Sequence, residues 1–329
     1  MMFIMMLVSS SILAASASSW FMAWISLEIN MVSLLALFLH SKSPRVAEST
    51  LKYFLIQTLA SAVLVSSAIF AMMADSSFSL ISSQINLILS ISLLIKLGAA
   101  PFHLWVPQVL EGLSWKYIFI VLTWQKFAPF LLLLSCLQTN LTKGLMKFSL
   151  ILSLILGSIL GLAYSSLRKI LAFSSINHMG WLLSSLLMKF SSWILYFILY
   201  SMILGLLIFI LNSNNTISLS NTMNSLNTMS QISFYTLILS FSGLPPFIGF
   251  APKWLVINDL MINSSFLIAM ILTLSSLITL FFYLRIIFNS LLQKYNLMYL
   301  PSNKSKITSF VMWFNLSGLM IIPILFLLL

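Results

Sequence analysis

Gly98-Ala-Ala-Pro101-Phe102-His103-Leu-Trp-Val-Pro107 and Gly243-Leu-Pro-Pro246-Phe247-Ile-Gly-Phe-Ala-Pro252 share one pattern, G-x-x-P-F-x4-P. Each copy interrupts a long apolar segment, and each has a lysine at its edge: Lys96 just before the first, Lys253 just after the second. Proline cannot donate the backbone hydrogen bond that an α-helix needs, so both segments must break or kink at membrane depth. A charged amine there is costly unless it faces a polar interior. Two matching broken helices in corresponding parts of a membrane chain are the usual sign of a transport pathway built from internal repeats. The plainer alternative is that Gly and Pro recur in membrane helices for packing reasons alone.

Composition sets the frame. Of 329 residues, 60% are hydrophobic and 6% charged, with a mean hydropathy of +1.09. A soluble domain carries about a quarter charged residues, so this chain reads as an integral membrane protein lying almost wholly in the bilayer. The net charge of +11 comes from 16 basic against 5 acidic residues. No basic face or soluble module is present to use that excess on nucleic acid, which leaves the positive-inside rule as its role. The one cysteine, Cys136, lies in an apolar run, so no intrachain disulfide is expected. The first apolar stretch has no basic n-region and no small-residue cleavage site, and it reads as a retained span rather than a signal peptide.

Apolar runs of spanning length fall at about 2–19, 21–40, 51–74, 82–110, 115–137, 145–164, 169–188, 193–212, 230–257, 262–288 and 308–328. The polar stretch from Asn212 to Ser230 reads as a solvated connector, and Ser43-Pro44 as the N-cap and first helical residue of the third span, with Glu48 and Lys52 at i, i+4 beyond it. Loops and flanks after even-numbered spans hold Lys42, Arg45, Lys52, Lys116, Arg168, Lys169, Arg285, Lys294, Lys304 and Lys306. After odd-numbered spans stand only Lys143, Lys147 and Lys189, with Asp75 and Asp259. Ten against three puts the even loops on the cytoplasmic or matrix side, together with the N-terminus, and the C-terminus opposite. The broken spans are the fourth and the ninth, an odd offset, so they run in opposite directions. The fold expected is all-α and polytopic, with about eleven transmembrane helices. Two inverted five-helix repeats, about 1–140 and about 141–290, each hold one Pro-broken helix, and a C-terminal helix at about 308–329 is appended.

Three lysines, Lys96, Lys126 and Lys253, and one carboxylate, Glu28, fall inside spans. Each costs about 2.5–3.5 kcal/mol at the bilayer centre, so together they need hydrated cavities, pairing or neutralisation. A desolvated amine gives up its proton readily and keeps it beside a carboxylate, so a Glu28 that approaches or leaves Lys96 would switch the lysine's charge. A static buried pair that specifies helix packing is the alternative. For Lys126, in Thr123-Trp124-Gln125-Lys126, the alternative is an amine that snorkels to the interface. For Lys253 it is a cation that merely caps freed carbonyls. His178, in Ser174-Ser175-Ile176-Asn177-His178-Met179-Gly180-Trp181, can pass a proton through either ring nitrogen, or be a packed histidine bonded to a carbonyl. His103, inside the first break, carries the same two readings, and His40 reads as interfacial. No G-x-G-x-x-G loop, Walker motif, cysteine cluster or set of metal ligands occurs, so no cofactor and no direct NADH binding are expected in this chain.

The set Trp24-Ile-Ser-Leu-Glu28-Ile-Asn30, Lys52-Tyr-Phe-Leu, Lys96-Leu-Gly-Ala-Ala-Pro-Phe-His103, Thr123-Trp-Gln-Lys126, Ser174 to Trp181 and Gly243-Leu-Pro-Pro-Phe-x-Gly-Phe-x-Pro-Lys253-Trp254 resembles the subunit 2 family of animal mitochondrial complex I. The likeness runs from the first span through the ninth and weakens toward the C-terminus. It implies a single antiporter-like transmembrane domain over 1–329, in the membrane arm of NADH:ubiquinone oxidoreductase. The domain would lie in the mitochondrial inner membrane and translocate protons, driven by quinone reduction elsewhere in the enzyme. It further implies that Glu28 pairs with Lys96, that Lys96, Lys126 and Lys253 form a hydrated midplane route, and that His178 bridges it. Partners implied are other membrane-arm subunits, other antiporter-like subunits among them, and lipids, cardiolipin included. A subunit of a free-standing cation/proton antiporter is the alternative, and a purely structural membrane subunit a further one.

Overall fold

In this computed structural model, residues 2–39, 43–73, 79–213, 228–294 and 312–315 are described. They form thirteen helices: α1 (Met2–Ala15), α2 (Trp20–Leu39), α3 (Pro44–Met73), α4 (Ser79–Leu97), α5 (Trp105–Gly112), α6 (Trp115–Leu122), α7 (Trp124–Cys136), α8 (Asn140–Ala163), α9 (Leu167–Met188), α10 (Phe190–Ser213), α11 (Thr228–Ser242), α12 (Phe250–Ile262) and α13 (Phe266–Lys294). Among the described residues, seven helical stretches are long and apolar enough to cross a membrane: α2, α3, α6 with α7, α8, α9, α10 and α13. The chain is an all-helical polytopic membrane protein. Segments four and nine are split at the Pro motifs into α4/α5 and α11/α12. Segment five is split as well, at Thr123, which the sequence did not announce. All of the expected eleventh segment except 312–315, most of the 212–230 connector and His40 lie outside the described residues.

The outer faces of the helices are apolar, and the interior mixes apolar side chains with small polar ones. Along α13, Leu267, Met270, Leu274, Leu277, Phe281 and Phe288 are exposed while Ser275, Thr279, Tyr283 and Ser290 are buried. Backbone polar groups cannot be left open in hydrocarbon, so helices carry the whole crossing and their apolar sides face outward. The buried serines are satisfied locally. Ser10, Ser26, Ser33, Ser49, Ser67, Ser92, Ser153, Ser174, Ser184 and Ser240 each donate to the carbonyl three residues earlier in their own helix.

The two breaks end their first halves alike. Gly98 and Gly243 have φ of 69° and 81°, the left-handed region where only glycine is unstrained. At the first, Gly98 N donates to Ile95 O and Ala99 N to Leu94 O. At the second, Gly243 N donates to Ser240 O and Leu244 N to Leu239 O. This paired bonding is the Schellman ending, which uses carbonyls that a terminated helix would leave orphaned. The chain then turns again through Phe102 N to Ala99 O and Phe247 N to Leu244 O. Past this point the breaks diverge. A Cβ on Gly249 would run into the backbone carbonyl of Ser240. The matching residue of the first break is Leu104, 66% exposed.

The chain forms two compact units, Met1–Ser153 and Leu154–Leu329. In the first, α2 packs on α1 and α3, α3 on α4 and α5, and α7 on α1, α4 and α6. Ser43 begins α3 as expected: its carbonyl accepts from Val46 N and Ala47 N, and Lys52 pairs with Glu48 at 2.6 Å. In the second, α9 packs on α10, α12 and α13, α10 on α11 and α12, and α13 on α11 and α12. Helix α9 is buried almost along its whole length. Arg285 of α13 donates to Leu162 O and Tyr164 O, capping the end of α8. Lys189 pairs with the buried Asp259 at 2.9 Å. Both members of that pair follow odd-numbered segments in the sequence.

Candidate functional site

The five sequence-singled cations and imidazoles are all buried: Lys96 7%, Lys126 4%, Lys253 5%, His178 6% and His103 5% exposed. Glu28 is half-buried. Glu28, Lys96, His103 and Lys126 belong to the first unit, His178 and Lys253 to the second.

In the first unit, Lys96 stands in the last turn of α4, immediately before the break. Trp105 of α5 folds back to donate Nε1–H to Ile95 O at 3.2 Å, so the break holds the α4 terminus in place. Glu28, on α2, is near enough for its charge to act on the Lys96 amine. Among the described residues, however, the two make no direct ion pair, and Glu28 Oε1 is buried without a hydrogen-bond donor. A pair separated in this way gains Coulomb energy without the fixed geometry of a packing bridge. Lys126 lies in the first turn of α7, just past the interruption at Thr123. Pro129, one turn on, has no N–H for the Gln125 carbonyl, which leaves a polar backbone group beside the lysine. His103 Nδ1 lies 3.2 Å from Pro101 O, and its Nε2 is buried without a partner.

Neutral polar side chains knit these helices together. Gln125 Nε2 donates to Asn30 Oδ1 at 2.6 Å, Tyr53 Oη donates to Gln125 Oε1 at 3.4 Å, and Gln57 Nε2 donates to the Lys96 carbonyl at 3.5 Å. On α3 the buried Ser49, Tyr53, Gln57 and Ser61 recur every four residues, a polar stripe on the inward face. That spacing inside an apolar helix was the signal by which sequence reading would have found Tyr53 and Gln57.

In the second unit, Lys253 reaches back from α12 across the break. Its Nζ donates to Ser242 O at 2.7 Å, in the last turn of α11, and lies 5.4 Å from the centre of the Trp181 ring. A Cβ on Gly243 would lie 2.6 Å from Lys253 Cδ, so the glycine leaves the groove in which the lysine stem rests. His178 Nδ1 is 2.9 Å from the Tyr196 hydroxyl, with Phe241 edge-on at 4.8 Å. A cavity of about 10 Å³ touches His178, Tyr196, Tyr200, Ser240, Gly249 and Pro252, about the space of one water molecule. It places the imidazole and the second break on one small void. Among the described residues, no cluster of three or more His, Cys, Asp or Glu gathers as a metal site.

Residues 17–279 match the family NADH:quinone oxidoreductase/Mrp antiporter, transmembrane. The NADH-ubiquinone oxidoreductase chain 2 of Anopheles gambiae is 37% identical over 98% of this chain and 97% of its own length, and that of Aedes aegypti is 38% identical over 99% and 98%. This chain belongs to that family, among the chain 2 proteins. A chain of respiratory complex I from Thermus thermophilus with bound aureothin shares the fold, with a TM-score of 0.83 at 22% identity, covering 98% of this chain and 78% of that one. The family match spans Glu28, Lys96, Lys126, His178 and Lys253 alike.

Proposed function

We propose that this chain is a core membrane-arm subunit of NADH:ubiquinone oxidoreductase that translocates protons through Glu28, Lys96, Lys126 and Lys253, with His178 as a bridging group. The observation that carries this reading is the burial of three lysines, each no more than 7% exposed, inside helices otherwise apolar. An amine held there without function would cost about 2.5–3.5 kcal/mol, and each stands beside a helix interruption that supplies polar backbone. Near-full-length identity to oxidoreductase chain 2 relatives favours this role over a free-standing antiporter. The energy comes from quinone reduction elsewhere in the enzyme, so the chain needs no redox centre of its own.

The same reading makes it a multi-pass protein of the mitochondrial inner membrane, N-terminus on the matrix side and C-terminus in the intermembrane space. Eleven crossings, arranged as inverted repeats over about 1–140 and 141–290 with a helix at 308–329 added, fit the loop charges. Other antiporter-like subunits are its partners along the arm, and lipids fill the apolar outer faces. In the assembled enzyme in sealed vesicles, Lys126→Met is expected to lower the number of protons moved per electron. An unchanged ratio would remove Lys126 from the route.

A further inference from the structure

The Lys253 amine sits over a ring that the proton route as proposed leaves without a role. Its Nζ lies above the Trp181 indole, 5.4 Å from the ring centre, inside the range of about 6 Å in which a cation is attracted to an aromatic face. The amine has a second hold, the Ser242 carbonyl at 2.7 Å. A carbonyl accepts a hydrogen from an ammonium or from a neutral amine alike, whereas the attraction of the ring face acts on the positive charge. The two contacts therefore differ in kind. One ties the amine to the break in either state, and the other distinguishes a loaded amine from an empty one.

The ring itself is held. Trp181, on α9, is 1% exposed and stacks on Tyr196 of α10, with ring centres 6.3 Å apart and planes 15° from parallel. Tyr196 is fixed in turn through its hydroxyl, 2.9 Å from His178 Nδ1. Packing alone does not explain an indole at this place. Among the described residues, the Trp181 Nε1–H is buried without an acceptor, a cost that phenylalanine or leucine would avoid. What tryptophan supplies beyond those two is the strongest cation-attracting face among the aromatic side chains. We propose that Trp181 is a positioning residue of the proton route: its indole face, backed by Tyr196, holds the Lys253 amine while it carries a proton and ceases to hold it once the proton has left. Through Tyr196 the same stack is tied to His178, so the imidazole and the amine share one rigid aromatic support.

The inference rests on the proton-route reading, and one experiment separates the two. Proton-to-electron ratios are measured in sealed vesicles for the parent enzyme, Lys253→Met, Trp181→Met and Trp181→Phe. Methionine fills the space with an adaptable apolar chain and has no ring face, so Trp181→Met is expected to fall to the Lys253→Met ratio. Phenylalanine keeps a weaker face, and Trp181→Phe is expected to stand between that value and the parent's. A parent-like ratio for Trp181→Met beside a lowered one for Lys253→Met overturns the role of the ring and leaves the route intact. Equal losses in Trp181→Met and Trp181→Phe overturn it too, since shape rather than the face would then matter. A parent-like ratio for Lys253→Met removes Lys253 from the route and the inference with it. Should Trp181→Met not assemble, ring-fluorinated tryptophan decides, because it keeps the indole shape and draws electron density from its face. Fluorination is expected to lower the ratio of the parent and to leave that of Trp181→Phe where it was, whereas an unchanged parent ratio sinks the proposal.

Discussion

The two broken helices share a backbone and differ in how they hold an amine. Both end on a glycine at positive φ with the same pair of backbone bonds. The amine of Lys96, placed before its break, makes no hydrogen bond among the described residues and feels the Glu28 charge from a distance. Lys253, placed after its break, is gripped: a carbonyl at 2.7 Å, a Trp181 face and a glycine groove surround it. A carboxylate can move or take a proton, whereas a helix-end carbonyl and an indole face cannot. One amine is thus loosely held and the other fixed in place, although the local sequence pattern is the same.

The largest effect expected from that comparison is at the second break. Gly249→Ala drives a methyl group into the Ser240 carbonyl, with backbone on both sides and no slack, a cost of about 1–3 kcal/mol or more. The assembled enzyme on native gels should fall severalfold, while Leu104→Ala, at the matching exposed position of the first break, leaves its amount near the parent's. A milder and opposite contrast is expected between the charged groups. Lys253→Met strips the Ser242 carbonyl of its donor, leaving a buried acceptor at about 1–3 kcal/mol. Glu28→Gln removes a charge whose buried oxygen had no donor to lose. Thermal unfolding of the purified enzyme should therefore shift down for Lys253→Met and stay within a degree or two for Glu28→Gln, whose effect belongs to proton stoichiometry. Equal shifts would erase the distinction between a gripped and a loosely held amine. The smallest effect belongs to Asp259→Asn. It breaks the pair with Lys189, whose side chain is 52% exposed, and a pair so open to screening contributes about 1 kcal/mol or less.

Proline spacing and apolar run length made the two split helices legible, because both features act within a few residues. Ser43-Pro44 likewise announced the start of α3 by purely local means. Thr123 did not announce the interruption before Lys126, since threonine is tolerated in helices and its hydroxyl bonds back to Phe119 O at 2.7 Å here. The buried lysines were legible as anomalies in apolar surroundings, but their partners were not. Gln125 and Asn30 stand 95 residues apart in the chain, and Tyr53 and Gln125 stand 72 apart. Such contacts are set by which helices pack together, and nothing in either segment alone encodes that choice. Trp181 closes the Ser174 to Trp181 motif, yet its place opposite the Lys253 amine follows from the packing of α9 on α12.

The many serines that bond to their own helix have an effect on what the membrane conducts. Freely turning hydroxyls in a row would offer hydrogen ions an unregulated leak from one compartment to the other, and the gradient would drain. Each of these side chains instead keeps its single hydrogen committed to the turn below it. The polar lining therefore fills space and softens the dielectric around the lysines while it insulates, so current is restricted to the few groups with a hydrogen to spare.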